Sequence, residues 1–249
     1  METLLTLLAA HVLGDFVFQS DTMSQHKRKP AVLLLHVLIV TGLSLLILGH
    51  LHWQILLAIF GLHLLLDAGK AYFLEDSCRS FLLDQGLHLI VLITLAALYP
   101  MAFHNGWWPV FLKEDQLPVF LAGLSLLTGI VLVVPAGGIL VGKATQPLMT
   151  EIGEGAFPGL VRGGRLIGYL ERSLVFLLVL INQPTGIGFL IATKSILRFG
   201  EVKDAAHRKV AEYIIIGTFL SFGWALLVAV LAQAAFQWFT GGITPATGP

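Results

Sequence analysis

QILLAIFGLHLLLDAGKAYFL, residues 54–74, decides the fold. A helix needs about 20 mostly apolar residues to cross the hydrocarbon core of a bilayer. This stretch has that length, interrupted only by His63, Asp67 and Lys70. Comparable stretches lie near 3–19, 31–49, 83–102, 118–140, 165–181, 185–199 and 210–238. Backbone polar groups have no water to bond in lipid, so each span must be helical. The sequence thus predicts an all-α fold, a polytopic integral membrane helical bundle of about eight transmembrane helices. The segment 185–199 is short and opens on Asn182-Gln183-Pro184-Thr185-Gly186-Ile187-Gly188. A re-entrant or broken helix there would make the count seven.

Composition agrees. The chain of 249 residues is 56% hydrophobic and 12% charged, against about 25% charged in an ordinary soluble domain. Its formal net charge is zero, which gives no footing for a nucleic-acid partner. Cys78 is the sole cysteine and cannot form an intramolecular disulfide. The first apolar stretch has no basic leader and carries His11 and Asp15, so it reads as a first span and not as a signal peptide.

Basic residues orient the map. Lys27, Arg28 and Lys29, then Arg79, then Lys143 and Arg162, then Lys203, Arg208 and Lys209 fall in alternate loops, and the opposite loops hold only Lys113. Positive charge marks the cytoplasmic side, so both termini are expected outside. Trp107 and Trp108 suit an external interfacial belt. The chain divides on this reading into 1–102, 103–240 and a disordered tail 241–249. The long loop 141–164 is cytoplasmic and glycine-rich, either a lid or a linker.

The first two hairpins repeat. His11, Asp15 and His36 recur as His63, Asp67 and His88, each at an offset of 52 residues. Two spans per unit give parallel repeats, related by an axis along the membrane normal. His11 and Asp15, His63 and Asp67, and Asp84 and His88 are i,i+4 pairs that share a helix face. All lie in one band near the cytoplasmic ends of their helices. A charge at the bilayer centre costs roughly 2.5–3.5 kcal/mol on insertion scales, so these groups should face a partner, a cavity or an ion. Imidazoles with carboxylates suit a divalent Zn, Mn or Fe ion. His11, Asp15, His36, His63, Asp67 and His88 are the candidate ligands, and Asp84 is the candidate general base. Lys70 lies one turn from Asp67, and Gln19 is close enough to be supporting. Hydrogen-bonded His–Asp pairs that merely join helices are the plain alternative.

The second half is cationic in places. Glu171 and Arg172 interrupt an apolar span, and Lys194 and Arg198, also i,i+4, end the next one. Glu171, Arg172, Lys194 and Arg198 are expected either to pair among themselves or to hold an anionic headgroup. Glu212 opens the last span.

His11-x-x-Gly14-Asp15-Phe16-x-x-Gln19, Asp84-Gln85-x-x-His88, Gly164-Arg165-Leu166-Ile167-Gly168-x-Leu170-Glu171-Arg172, Gly188-Phe189-Leu190-Ile191-Ala192-x-Lys194-Ser195-Ile196-x-Arg198-Phe199 and the pair Glu212-Tyr213 together resemble the bacterial domain of unknown function 3307 over residues 5–225. The resemblance implies a bacterial inner-membrane location and no activity. The His-x-x-x-Asp spans are also broadly similar to membrane-bound metal-dependent hydrolases, at the level of fold analogy. Three functions stay open: a metal-dependent hydrolase acting on a lipid-linked or amphipathic anionic substrate within membrane lipid, a proton- or ion-coupled transporter, and a non-catalytic scaffold or regulator.

Overall fold

The computed structural model describes residues 1–152, 163–199 and 205–241, without the side chains of 195, 197–199 and 205–207. Its regular structure among the described residues is helical throughout. In order these are α1 (Glu2–Phe16), α2 (Asp21–Gln25), α3 (Pro30–Leu48), α4 (Trp53–Phe73), α5 (Cys78–Leu98), α6 (Trp108–Phe111) and α7 (Gln116–Val131). A π-helical segment (Leu132–Ala136) follows, then α8 (Gly137–Ile152), α9 (Gly163–Leu180), α10 (Thr185–Phe199) and α11 (Ala205–Phe239).

Five helical runs are long and apolar enough to cross a membrane: α3, α4, α5, the continuous run Gln116–Ile152, and Arg208–Phe239. Their outer faces are apolar too, with Leu57, Leu65, Ile90 and Leu227 well exposed. A helix that is hydrophobic all round belongs in a core or in lipid. The other expected spans are helical but fall short of that measure. α1 and α10 have 15 residues each, and α9 carries Arg165, Glu171 and Arg172 within 18.

Local signals fix the helix ends. Ser77 accepts the Ser80 N–H at 3.2 Å as the cap of α5, so that helix starts five residues before the expected 83. Asp84 and His88 therefore stand inside it. Pro30 opens α3 without wasting a donor. Gly49 ends α3 in the left-handed region (φ 73), where Trp108 leaves no room for a Cβ. The Trp108 Nε1–H donates to Leu46 O at 3.0 Å.

The loop expected at 141–164 is corrected in its first half. Residues 141–152 belong to α8, and the rest up to 162 lies outside the described residues, as does the tail from 242. Gly142 and Pro147 did not prevent the helix, because packing against α9 outweighs weak local propensity.

The chain forms two compact units, Met1–Val131 with the end of α11 from Ala234, and Leu132–Gln233. In the first, α1 packs on α3, α3 on α4, α4 on α5 and α5 back on α1, closing a four-helix ring, with α7 also against α1. Gly14 permits the α1–α3 approach, since a Cβ there would sit 2.6 Å from Val40 Cγ2. Leu7, Ala9, Val40, Leu48, Ile55, Ile59, Leu92, Leu95 and Phe103 build the apolar core of this ring. In the second unit, α9 packs on α8 and the π segment, and α10 on α9.

Candidate metal centre

The ring buries a polar cluster where α1 and α4 near their ends and α3 and α5 begin. His11, Asp15, His36, His63, Asp67, Asp84 and His88 are all buried there, with His36 fully enclosed. The i,i+4 spacing stacks two polar groups on the inner face of α1, α4 and α5, and α3 adds His36. Four antiparallel helices at matched depth then bring the groups together.

Asp15 Oδ1 is at the centre. His36 Nε2 lies 3.4 Å from it, His63 Nε2 3.6 Å and His11 Nδ1 3.7 Å. His36 Nε2 and His63 Nε2 are 3.1 Å apart, and they stand 3.3 and 3.6 Å from Asp67 Oδ2. Nitrogen and oxygen ligands at about 2.0–2.2 Å from a tetrahedral ion are roughly 3.3–3.6 Å from one another. The observed spacings lie close to that range. Three groups of side chains could hold a metal ion: His11, Asp15 and His63; His36, His63 and Asp67; and Asp67, Asp84 and His88.

Hydrogen bonds outside the centre fix the ring tautomers. The Gln85 amide donates to Asp15 Oδ2 and Asp84 Oδ2, both at 3.2 Å, so its oxygen faces His11 Nε2 at 3.3 Å. An amide oxygen only accepts, so His11 Nε2 carries the proton and Nδ1 keeps a lone pair toward Asp15. His88 Nδ1 donates to Asp84 O at 2.8 Å, which leaves the lone pair on Nε2. Imidazoles held from behind in this way are typical of metal ligands.

Among the described residues, several buried atoms of the cluster have no hydrogen-bond partner: Asp15 Oδ1, Asp67 Oδ1, Asp84 Oδ1, His36 Nδ1 and His88 Nε2. Buried polar atoms are nearly always satisfied. Three carboxylate oxygens and a lone-pair nitrogen left open in one cluster are a demand for cations or water. Two cations arrive from the protein, Lys27 on Asp67 Oδ2 at 2.8 Å and Lys70 on Asp84 Oδ2 at 2.7 Å. A small cavity with room for about one water molecule is lined by His11, His63, His88 and apolar neighbours including Val40, Ile59 and Leu92.

Two participants escaped the sequence reading. Gln85 stood inside a quoted motif without a role, and its place beside Asp84, three residues before His88, was the available signal. Lys27 served only as a marker of loop charge. The loop carrying it is strapped to α4, with Arg28 Nε donating to Ala71 O at 2.9 Å and Tyr72 Oη to Arg28 O at 2.7 Å. Gln19 is half-buried with its Nε2 unpartnered and makes no hydrogen bond to the cluster.

The cationic residues belong to the second unit. Lys194 Nζ lies 2.7 Å from Glu171 Oε2. Arg172 is buried and donates to Ser221 Oγ and to Val134 O, both at 3.1 Å, with only Nε unpartnered. Its side chain runs over Gly138 and Gly168, where a Cβ would meet the guanidinium at 3.0 and 3.1 Å. Arg198 is in α10, and its side chain lies outside the described residues. Glu212 is exposed and pairs with Arg208 at 3.0 Å.

No curated protein and no solved structure matches the chain. Residues 3–116 match the family described as "Protein of unknown function (DUF3307)". The match stops before the motifs at 164–172, 188–199 and 212–213 that the sequence resemblance also included. Every residue of the cluster, from His11 to His88, falls within the matched segment, and residues 3–116 are a DUF3307 domain.

Proposed function

We propose that this chain is a polytopic protein of the bacterial inner membrane, with a divalent-metal centre near the cytoplasmic face that hydrolyses a lipid-linked or amphipathic anionic substrate. The observation that supports it most is Asp15 Oδ1, buried, unpartnered, and ringed by three imidazole nitrogens at 3.4–3.7 Å. Zn is the best fit to nitrogen-rich donors, with Mn and Fe next. Lys27, Arg28, Lys29 and Arg79 cluster at this end of the ring, in keeping with a cytoplasmic site and external termini.

When bound, the metal would acidify a coordinated water. Asp84 has one oxygen engaged by Lys70 and Oδ1 open. That oxygen takes the proton of the attacking water. The water oxygen bonds to the phosphoryl or acyl centre, and the leaving oxygen departs with the proton that Asp84 returns. Lys194 pairs with Glu171, and Arg172 is committed to Ser221 and Val134, so this reading gives none of the three a substrate contact.

The test is metal content by mass spectrometry on detergent-purified protein, wild type beside His63→Ala, followed by assays on phospholipid and lipid-linked substrates with and without chelator. Near-stoichiometric metal in the wild type and none in the variant is expected. A folded wild type that holds no metal would sink the reading.

A proton- or ion-coupled carrier is the second reading. The imidazoles form a contiguous series, with ring centroids 5.1 Å apart for His36 and His63, 4.4 Å for His63 and His88 and 5.0 Å for His88 and His11. Proteoliposomes loaded with a pH dye separate the two: a proton flux lost in His88→Ala favours the carrier.

A further inference from the structure

We infer that the centre takes a single ion on the Asp15 side, and that Lys27 and Lys70 stand on the Asp67 side in place of a second one. This rests on the metal reading above and adds stoichiometry and position to it.

The argument starts from the repeat. Packing of α1 on α3 mirrors that of α4 on α5, and packing of α3 on α4 mirrors that of α5 on α1. A closed ring of this order accommodates two hairpins related by the 52-residue offset, which pairs His11, Asp15 and His36 with His63, Asp67 and His88. Two equivalent half-sites would be expected to take two equivalent ions. The surroundings of the two aspartates are not equivalent.

Asp67 Oδ2, the oxygen that faces His36 and His63, already holds the Lys27 ammonium at 2.8 Å. Asp84 Oδ2 holds Lys70 at 2.7 Å. Among the described residues, Asp15 has only imidazoles within ion-pair distance. At the 52-residue offset, Lys27 corresponds to Arg79, which is exposed and does not reach Asp15. Lys70 corresponds to Phe18, Asp84 to Val32 and Gln85 to Leu33. The lysine–carboxylate pair of the second copy therefore has no counterpart in the first.

Charge decides the outcome. Three carboxylates and two ammonium groups leave one negative charge, and it is that of Asp15. A dication approaching Asp67 or Asp84 would have to expel a tethered ammonium or sit beside it, and like charges a few ångströms apart in a dry interior repel strongly. At Asp15 it meets an unpartnered oxygen and the His11 Nδ1 lone pair that Gln85 preserves. His11, Asp15 and His63, whose donor atoms lie within reach of one ion, form a nitrogen and oxygen set suited to zinc.

Zinc binding to the chelator-stripped full chain in detergent, read as ions per chain, tests this. The wild type should bind one ion and Asp15→Asn none. Lys27→Met combined with Lys70→Met should bind two. Lys27→Met combined with Asp67→Asn removes a charge pair together, which limits the folding penalty, and should still bind one. Two ions in the wild type, one in a folded double-lysine variant, or none in the Lys27→Met, Asp67→Asn protein would each overturn the inference while leaving a metal centre in place. No ion in any protein would overturn both it and the metal reading.

Discussion

Asp15 and Arg172 are both charged and both buried, at 7% and 3% exposure, and each interrupts an apolar helix. Their surroundings differ in kind. Around Asp15 the open groups include an unpartnered carboxylate oxygen, lone-pair nitrogens and further unpartnered oxygens on Asp67 and Asp84. Around Arg172 the helix backbone absorbs the donors. The guanidinium bonds Ser221 and the Val134 carbonyl, and only Nε is left over. A buried charge in an apolar helix is thus no signature of a site by itself. Open groups of one electrical sense, gathered at one point, mark the place that needs a ligand. A charge whose bonds end on the backbone of the next helix ties helices together.

The largest effect that could break this contrast is in Arg172→Met. It removes two hydrogen bonds from a charged donor, each worth about 1.5–3 kcal/mol, and strands a buried carbonyl. Thermal unfolding in detergent should show a loss of about 3 kcal/mol or more, while metal content stays at the wild-type level. Metal loss with unchanged stability would mean that Arg172 serves the centre and that the contrast is false.

A smaller effect sharpens the other half. Gln85→Leu removes the amide that holds His11 in one tautomer and braces Asp15 and Asp84. Loss of such an outer contact typically weakens metal affinity 10–100-fold. Competition with a chelator of known affinity should show a drop of that order, together with a lowered unfolding midpoint, since Asp15 and Asp84 each lose a donor. Unchanged affinity would mean that the His11 proton is set by something other than Gln85.

The contrast also explains what the sequence could and could not reveal. The cluster was legible because helix geometry is periodic: i,i+4 pairs on apolar helices and one offset shared by three residues place His11, Asp15, His36, His63, Asp67 and His88 at one depth. Lys27 was not legible, since its reach depends on how the loop between α2 and α3 folds onto Ala71 and Tyr72, and no periodicity encodes that. Arg172 was legible as an anomaly and not as a tie. Its partners, Val134 and Ser221, are 38 and 49 residues away in sequence. The end of the fifth span was misplaced for a related reason. The expected span ended at 140, yet the chain, with Pro135 accommodated in a π-helical turn, continues as a helix to Ile152.

That turn supplies the smallest and most exacting test. Pro135 has no N–H to give, and a π-helical turn shifts the hydrogen-bond register, so carbonyls near it are open to side chains. Trp224 Nε1 donates to Leu132 O at 2.8 Å and Arg172 to Val134 O at 3.1 Å. Gly137 makes space for the indole, because a Cβ there would sit 2.7 Å from Trp224 Cδ1. Trp224→Phe keeps most of the ring and deletes one donor, so it should cost about 1 kcal/mol and leave metal binding untouched. The combination with Arg172→Met carries more information. If the two side chains hold one strained turn, the turn relaxes once Arg172 is gone, and the Trp224 bond is worth less. The double variant should then be more stable than the sum of the single losses implies, by at least about 0.5 kcal/mol. Strict additivity would mean two independent bonds and no shared turn.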